Sequence, residues 1–318
     1  MNELAKNAVS LVKVGEDEAG QRLDNFLLAR LKGVPKSHVY KLVRGGQVRV
    51  NGARAEVSRR LADGDEVRIP PVRVAARPAV LSGVGPVRLA PHVVFRDEFL
   101  LVLDKPAGWA VHGGSGVARG VIEQLRQENP QVRFMELAHR LDRETSGLLV
   151  IALKRRALVG LHEAFREGRT DKRYLTLAAG KWTGDVRHAR FPLHKYATPT
   201  GERRVRVEAG GQAAHTVFTR LKAWPDYTLI EAQLKTGRTH QIRVHLAELG
   251  CPIAGDDKYG DFALNKTLEK QGLKRMFLHA WRLSFRHPVT GQTIQLEAPL
   301  PAELQQFIDG LDQHAASL

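Results

Sequence analysis

Only one cysteine, Cys251, stands in the 318 residues. A single thiol excludes an intrachain disulfide framework and a cysteine-rich zinc site, and it fits a reducing compartment, the cytoplasm. Cys251 is expected to be a small core residue. The chain has no apolar run of about 18 residues, so no membrane-crossing helix is expected. Its first residues lack the basic segment and apolar core of a secretory leader. The phosphate-cradling pattern GxxxxGK[ST] is absent, as are internal repeats and low-complexity tracts. Acids are scarce where basic residues gather: residues 30–60 hold nine Lys or Arg and one acid, Glu56.

Basic residues dominate overall, 49 Lys and Arg against 34 Asp and Glu, for a net charge of +15. That excess calls for a polyanionic partner, and nucleic acid is the commonest. A 43% hydrophobic share supports a sizeable core, and the length suits two domains. Residues 1–21 read as an N-terminal arm or edge strand. Leu23, Phe26, Leu27 and Leu31 recur at helical spacing, and Gly33 and Pro35 stop that helix. Ser37 is a candidate cap for a second helix that buries Val39, Leu42 and Val43 and ends at Gly45-Gly46. Asn51-Gly52 marks a two-residue hairpin. Residues 22–70 therefore form a small domain of two helices and a short sheet. Its basic face is carried by Lys36, Lys41, Arg44, Arg49, Arg54, Arg59 and Arg60. Five of the fifteen prolines fall between Pro70 and Pro91, so residues 71–91 read as a semi-extended linker.

Residues 92–318 are strand-rich. Val93–Phe95 and Phe99–Leu103 read as strands, as do Tyr174–Ala178, Val217-Phe218 and Tyr227–Ile230, with one more pair around Pro288–Gln292. Leu158, Leu161 and Phe165 mark a helix ending at Gly168. Thr239 is a candidate cap for a helix burying Ile242, Leu246 and Leu249, and a short helix begins at Ala302. Gly113-Gly114-Ser115-Gly116 is either a loop that lets an RNA strand approach the backbone or a plain turn.

The stretch His139-Arg140-Leu141-Asp142-Arg143-Glu144-Thr145-Ser146-Gly147 precedes an apolar run, Leu148–Leu153, with the look of a buried strand. Asp142 thus sits in a loop held by that strand, between Arg140 and Arg143. Cations beside a carboxylate favour its charged form, for a nucleophile and for a structural ion pair alike. His240 and His245 lie five apart, on different helix faces, unlike the histidines of HExxH.

The HRLDxxTSG pattern, Lys172-Arg173-Tyr174-Leu175 and Thr236-Gly237-Arg238-Thr239-His240-Gln241-Ile242-Arg243-Val244-His245 together resemble the RluA-type pseudouridine synthases, and residues 22–70 resemble their S4 domain. The resemblance implies an α+β chain: a small S4-like RNA-binding domain linked to a mainly antiparallel-sheet catalytic domain with flanking helices. It implies isomerisation of uridines in 23S, the large-subunit ribosomal RNA, with no metal or cofactor and no membrane, by a cytoplasmic monomer. Asp142 would be the nucleophile acting on a flipped-out base. Tyr174 would stack on the uracil and Arg238 would pair with Asp142. Arg140 would fill the gap left by the base, and His112 would hydrogen-bond near the substrate. Against these stand plainer roles: a core aromatic for Tyr174, phosphate contacts for Arg238 and Arg140. Asp142 with Glu144 would make a glycosidase-like pair. The other class of function is a non-catalytic S4-type ribosome- or RNA-binding protein.

Overall fold

The computed structural model describes residues 8–31, 33–72, 88–113 and 119–316. The chain divides into two compact units, Met1–Gly83 and Val84–Leu318, each with its own core.

The first unit comprises β1 (Ser10–Lys13), α1 (Leu23–Arg30), α2 (Lys36–Arg44), β2 (Arg49–Val50), β3 (Ala53–Arg54) and β4 (Glu66–Ile69). Its sheet runs β1-β4-β2-β3, so residues 10–13 are an edge strand paired with β4. α1 buries Leu23, Phe26 and Leu27, and α2 buries Val39, Leu42 and Val43. The second helix starts at Lys36 with Pro35 as its cap, so Ser37 lies inside the first turn instead of capping it. Proline suits that place because its ring fixes φ and it has no N–H to satisfy. Asn51 and Gly52 both have positive φ, +51° and +76°, as a type I′ hairpin demands. The turn sets Arg49 opposite Arg54.

Of the linker expected over 71–91, residues 73–87 lie outside the described residues, as do Gly114, Ser115 and Gly116 of the glycine-rich loop. The linker's described ends are built into the units. Val72 joins the first core and Leu89 the second, where the Glu128 carboxylate accepts the Leu89 N–H at 2.9 Å.

The second unit comprises, in order, β5 (Val93–Arg96), β6 (Leu100–Lys105), α3 (Val121–Glu128), β7 (Glu136–Leu137), β8 (Ser146–Ala152), α4 (Arg155–Arg166), β9 (Thr170–Ala179), β10 (Val186–Ala189), β11 (Leu193–Ala197), β12 (Arg203–Val207), β13 (Thr216–Ala223), β14 (Tyr227–Leu234), α5 (Gln241–Glu248), α6 (Phe262–Lys270), β15 (Leu278–Arg286), β16 (Thr293–Glu297) and α7 (Ala302–Ala316). Its main sheet runs β10-β13-β14-β9-β15-β8-β6-β5, with β16 and β7 as side partners and β11-β12 as a separate hairpin. Every pairing is antiparallel except β15 with β8. The fold is α+β and mainly antiparallel.

All seven residues of β8 are buried, which is why its sequence is a continuous apolar run instead of an alternating one. Gly147 opens this strand at φ +106° beside β15, and a Cβ there would lie 2.2 Å from the Ala280 carbonyl oxygen. The glycine is what lets the loop before β8 sit directly against the sheet centre. β9, next to β15, brings Tyr174 to the same region, and α5 arrives there from the end of β14.

Candidate active site

A cleft of about 510 Å³ is lined by Asp142 from the loop before β8, Tyr174 from β9, and residues 234–243 leading into α5. Among the described residues Asp142 is its one lining acid. The Asp142 carboxylate lies 3.4 Å from Arg243 Nη1 and 3.8 Å from His240 Nε2, with its side chain 20% exposed. Tyr174 is buried, and burial, then the nearby Asp142 charge, push its phenol well above the usual range. Its hydroxyl is therefore protonated at neutral pH.

Arg238 is not the cation that pairs with Asp142. It is exposed at the cleft mouth, its Nε donating to the Ala213 carbonyl at 3.1 Å. Arg243, five residues on, takes the place expected of Arg238. Its side chain is 4% exposed, and Asp256 grips it on two sides, Nε to Oδ2 at 2.7 Å and Nη2 to Oδ1 at 2.6 Å. Asp257 adds a contact to Nη2 at 3.2 Å. Burial works against the Arg243 charge, but Asp256, and then Asp142 and Asp257, more than offset it and raise its pKa. Asp256 in turn accepts the Lys258 and Tyr259 backbone N–H groups. The guanidinium is thus fixed from behind, leaving Nη1 to face Asp142. The arginines beside Asp142 in sequence do not form this pair. Arg143 turns to the Gly108 carbonyl at 3.0 Å and to Glu144 at 3.5 Å. Arg140 is exposed on the cleft wall. Glu144 does not line the cleft, so among the described residues no second carboxylate stands across it from Asp142.

His240, not Thr239, caps α5, and its backbone is left-handed at φ +53°. Such a conformation costs about 1–3 kcal/mol in a residue other than glycine and recurs at functional sites. His240 Nδ1 lies 2.8 Å from the Tyr259 hydroxyl, which also accepts the Val205 N–H at 2.9 Å. The hydroxyl has one proton and, among the described residues, one acceptor for it, Nδ1. A hydroxyl that donates to Nδ1 leaves the neutral imidazole proton on Nε2, the nitrogen 3.8 Å from Asp142. Burial lowers the His240 pKa against the opposing pull of Asp142, and burial pushes the Tyr259 phenol up to about 12. His245 faces elsewhere: Thr216 at 2.9 Å and the Phe191 carbonyl at 3.1 Å.

Two cations, buried Lys105 and half-buried Arg275, hold the Asp142 loop from beneath. Lys105, fully buried, donates to the carbonyls of Pro106, Trp109 and Arg143 at 2.8, 2.9 and 3.1 Å. Burial lowers its pKa to about 7. Arg275 donates to the Glu144 carbonyl at 3.4 Å and to Ser146 Oγ at 2.8 Å. Ser146 in turn meets His279 Nδ1 at 2.8 Å, and His279 Nε2 meets the Ala298 carbonyl at 3.1 Å. Asp256, Lys105 and Arg275 carry no site signal in the sequence, and Arg243 and His240 lie within the 236–245 stretch without an expected catalytic role. The Lys105-Pro106 and Gly255-Asp256-Asp257 stretches carry no such meaning in isolation.

The remaining expected RNA contacts are spread over both units. His112 is exposed, with Nδ1 3.1 Å from the Gly113 carbonyl, and does not line the cleft. In the first unit, Lys36 and Arg44 flank the Tyr40 ring at 5.3 and 5.8 Å on one face of α2. Lys41, Arg49, Arg54 and Arg60 are exposed. Arg59 is half-buried and pairs with Asp65 at 3.7 Å, so part of its charge is spent inside the unit.

Two domains, the second with a single carboxylate set between a clamped arginine and a buried tyrosine in a cleft, define the class. Residues 99–248 match the RNA pseudouridylate synthase family and residues 21–67 match the S4 domain. The chain belongs to the RNA pseudouridylate synthase family. It is 49% identical over 312 residues to the ribosomal large subunit pseudouridine synthase C of Yersinia pestis, covering 96% of this chain and 97% of that one. The Escherichia coli K12 protein of the same name is 48% identical over 311 residues, with 96% and 97% covered. Among solved structures, human RNA pseudouridylate synthase domain containing 4 is similar with a TM-score of 0.58 at 26% identity, over 70% of this chain and 94% of that one.

Proposed function

We propose that this protein isomerises specific uridines of large-subunit ribosomal RNA to pseudouridine, working in the cytoplasm as a monomer. The reading is carried by the lone cleft carboxylate, Asp142, with Arg243 at 3.4 Å and buried Tyr174 in the same cleft. Near-full-length relatives named for this activity support it. In the reaction the C1′–N1 bond breaks, a C1′–C5 bond forms, the C5 proton leaves and N1 gains one, so no oxidant, reductant or water is consumed. Asp142 supplies the one carboxylate this needs, oriented by Arg243. Tyr174 supplies the platform for the flipped uracil with its hydroxyl protonated. The exposed basic face of residues 36–60 contributes phosphate contacts that hold RNA without reading its sequence. Arg140 and His112 contact the RNA beside the cleft. As to domains, residues 22–70 are the RNA-binding module and 92–318 the catalytic one.

The test is incubation of the protein with unmodified large-subunit RNA transcript, followed by site mapping of pseudouridine and assay for free uracil. Pseudouridine at discrete positions without uracil is expected. Uracil release would indicate a glycosidase, and RNA binding without either product would indicate a non-catalytic binding protein.

A further inference from the structure

Lys172 lies two residues before Tyr174 on β9 and lines the same cleft. The residue is 8% exposed. Its ammonium sits 5.6 Å from the centre of the Phe165 ring, and among the described residues it has no hydrogen-bond or ion-pair partner. The adjacent carboxylate, Asp171, is committed to Arg173 at 2.9 Å and Gln233 at 2.7 Å. Asp142 is committed to Arg243 and His240. Lys172 is largely buried but lines the cleft; taking a lysine out of water without a contacting counter-ion is costly, and burial lowers its pKa, with the Asp171 charge opposing. Arg140, Arg166 and Lys235 line the cleft too, and among the described residues none of them forms an ion pair. With Arg238, which also forms no ion pair among the described residues, five such cations around one carboxylate suit a polyanion better than a neutral carbonyl of the base.

We propose that Lys172 is a phosphate-binding residue that takes a backbone phosphodiester of the nucleotide whose base lies against Tyr174. Residues i and i+2 of a strand share a face and stand about 7 Å apart, a span that a single ribose bridges between base and phosphate. The exposed cations can follow any backbone path, but the buried Lys172 can meet only a phosphate placed beside Tyr174. The site therefore selects a nucleotide carrying its phosphodiester, not a free nucleoside. This inference rests on the uridine-isomerase reading of the cleft.

The test uses the full chain and a short RNA around a mapped target uridine. One phosphodiester, 5′ or 3′ of that uridine, is replaced by a neutral methylphosphonate. At one of the two positions wild-type Kd should rise about tenfold, the scale of one charge-assisted hydrogen bond. Lys172→Gln should bind the unmodified RNA about tenfold more weakly and lose less than threefold on the same replacement. A loss of threefold or more in the variant at both positions, or unchanged affinity of the variant for unmodified RNA, overturns the proposal. If the variant fails to fold, wild-type protein carrying 13Cε lysine serves instead. The Lys172 pKa should rise on binding unmodified RNA and not on binding the methylphosphonate RNA, and equal rises overturn the proposal. Pseudouridine mapped in the unmodified RNA reports separately on the isomerase reading.

Discussion

Asp256 holds Arg243 by two nitrogens, at 2.6 and 2.7 Å, and the third nitrogen, Nη1, faces Asp142 at 3.4 Å. One buried carboxylate thus aims a guanidinium at another. A lysine has no fork and cannot meet both acids in this geometry. Arg243→Lys should lose on the order of 100-fold in single-turnover rate, about 2.7 kcal/mol of barrier, with RNA affinity nearly unchanged. Arg238→Ala should instead weaken binding and recover its rate at saturating protein. Single-turnover rates and binding constants for both variants check this pair of outcomes. Asp256→Asn leaves a buried cation short of its partner and should cost about 3 kcal/mol in denaturant unfolding.

His240 and Tyr259 make the second prediction. Tyr259→Phe removes the hydroxyl that sets the imidazole proton on Nε2. Imidazole 15N spectra should show a single Nε2–H tautomer for His240 in the wild type and a mixture in Tyr259→Phe, with a lower single-turnover rate. One unchanged tautomer in the variant would refute the arrangement.

Buried histidines link stability to pH. Burial lowers the pKa of His279 to about 4, from an ordinary 6.5. The unfolded chain therefore takes up this proton first as pH falls. The stabilisation is full above about 6.5, declines by about 1.4 kcal/mol per pH unit, and levels off near the folded pKa. Burial lowers His139 in the same direction, to about 3. Urea unfolding from pH 7 to pH 4 should show steepening loss of stability, and His279→Gln should flatten it by about one proton. An equally steep profile in the variant would exclude His279 as a source.

Much of this architecture is legible in the sequence, for local reasons. The run Leu148–Leu153 can only be buried, and Asn51-Gly52 can adopt two positive φ values where most residues cannot. The expected glycine cap at Gly168 has φ +70° after α4. Legibility fails where tertiary contacts override local signals. Thr239 has the chemistry of a helix cap, but the Gln241 side chain accepts the Arg238 N–H at 3.0 Å and the Thr236 hydroxyl at 2.7 Å, and the helix begins later. Arg243 is hidden in the sequence because the apolar spacing of α5 suggests an amphipathic helix, whereas residues 241–246 are all buried. Its partner Asp256 is remote in sequence. The hairpin β11-β12 is not legible because Arg203–Val207 alternates arginine with valine on an outlying ribbon, and α6 is not because its cap, Asp261, precedes a largely exposed helix.

The first unit should act mainly through charge. Each lysine or arginine that neutralises a phosphate of single-stranded RNA contributes about 0.7 to the slope of log affinity against log salt. Replacing Lys36, Lys41 and Arg44 together with glutamine should lower that slope by about 2, with the single-turnover rate at saturating protein largely kept. Titrations at several salt concentrations check it, and an unchanged slope would remove α2 from the RNA interface.

The central claim is that Asp142 makes this chain a uridine isomerase. Its most direct measurement is pseudouridine mapping across large-subunit RNA in a strain deleted for its own homologue and rescued by this chain or by Asp142→Asn. The wild-type chain should restore discrete sites, and the asparagine variant, equally folded and equally able to bind RNA, should restore none. Sites restored by Asp142→Asn would contradict the account.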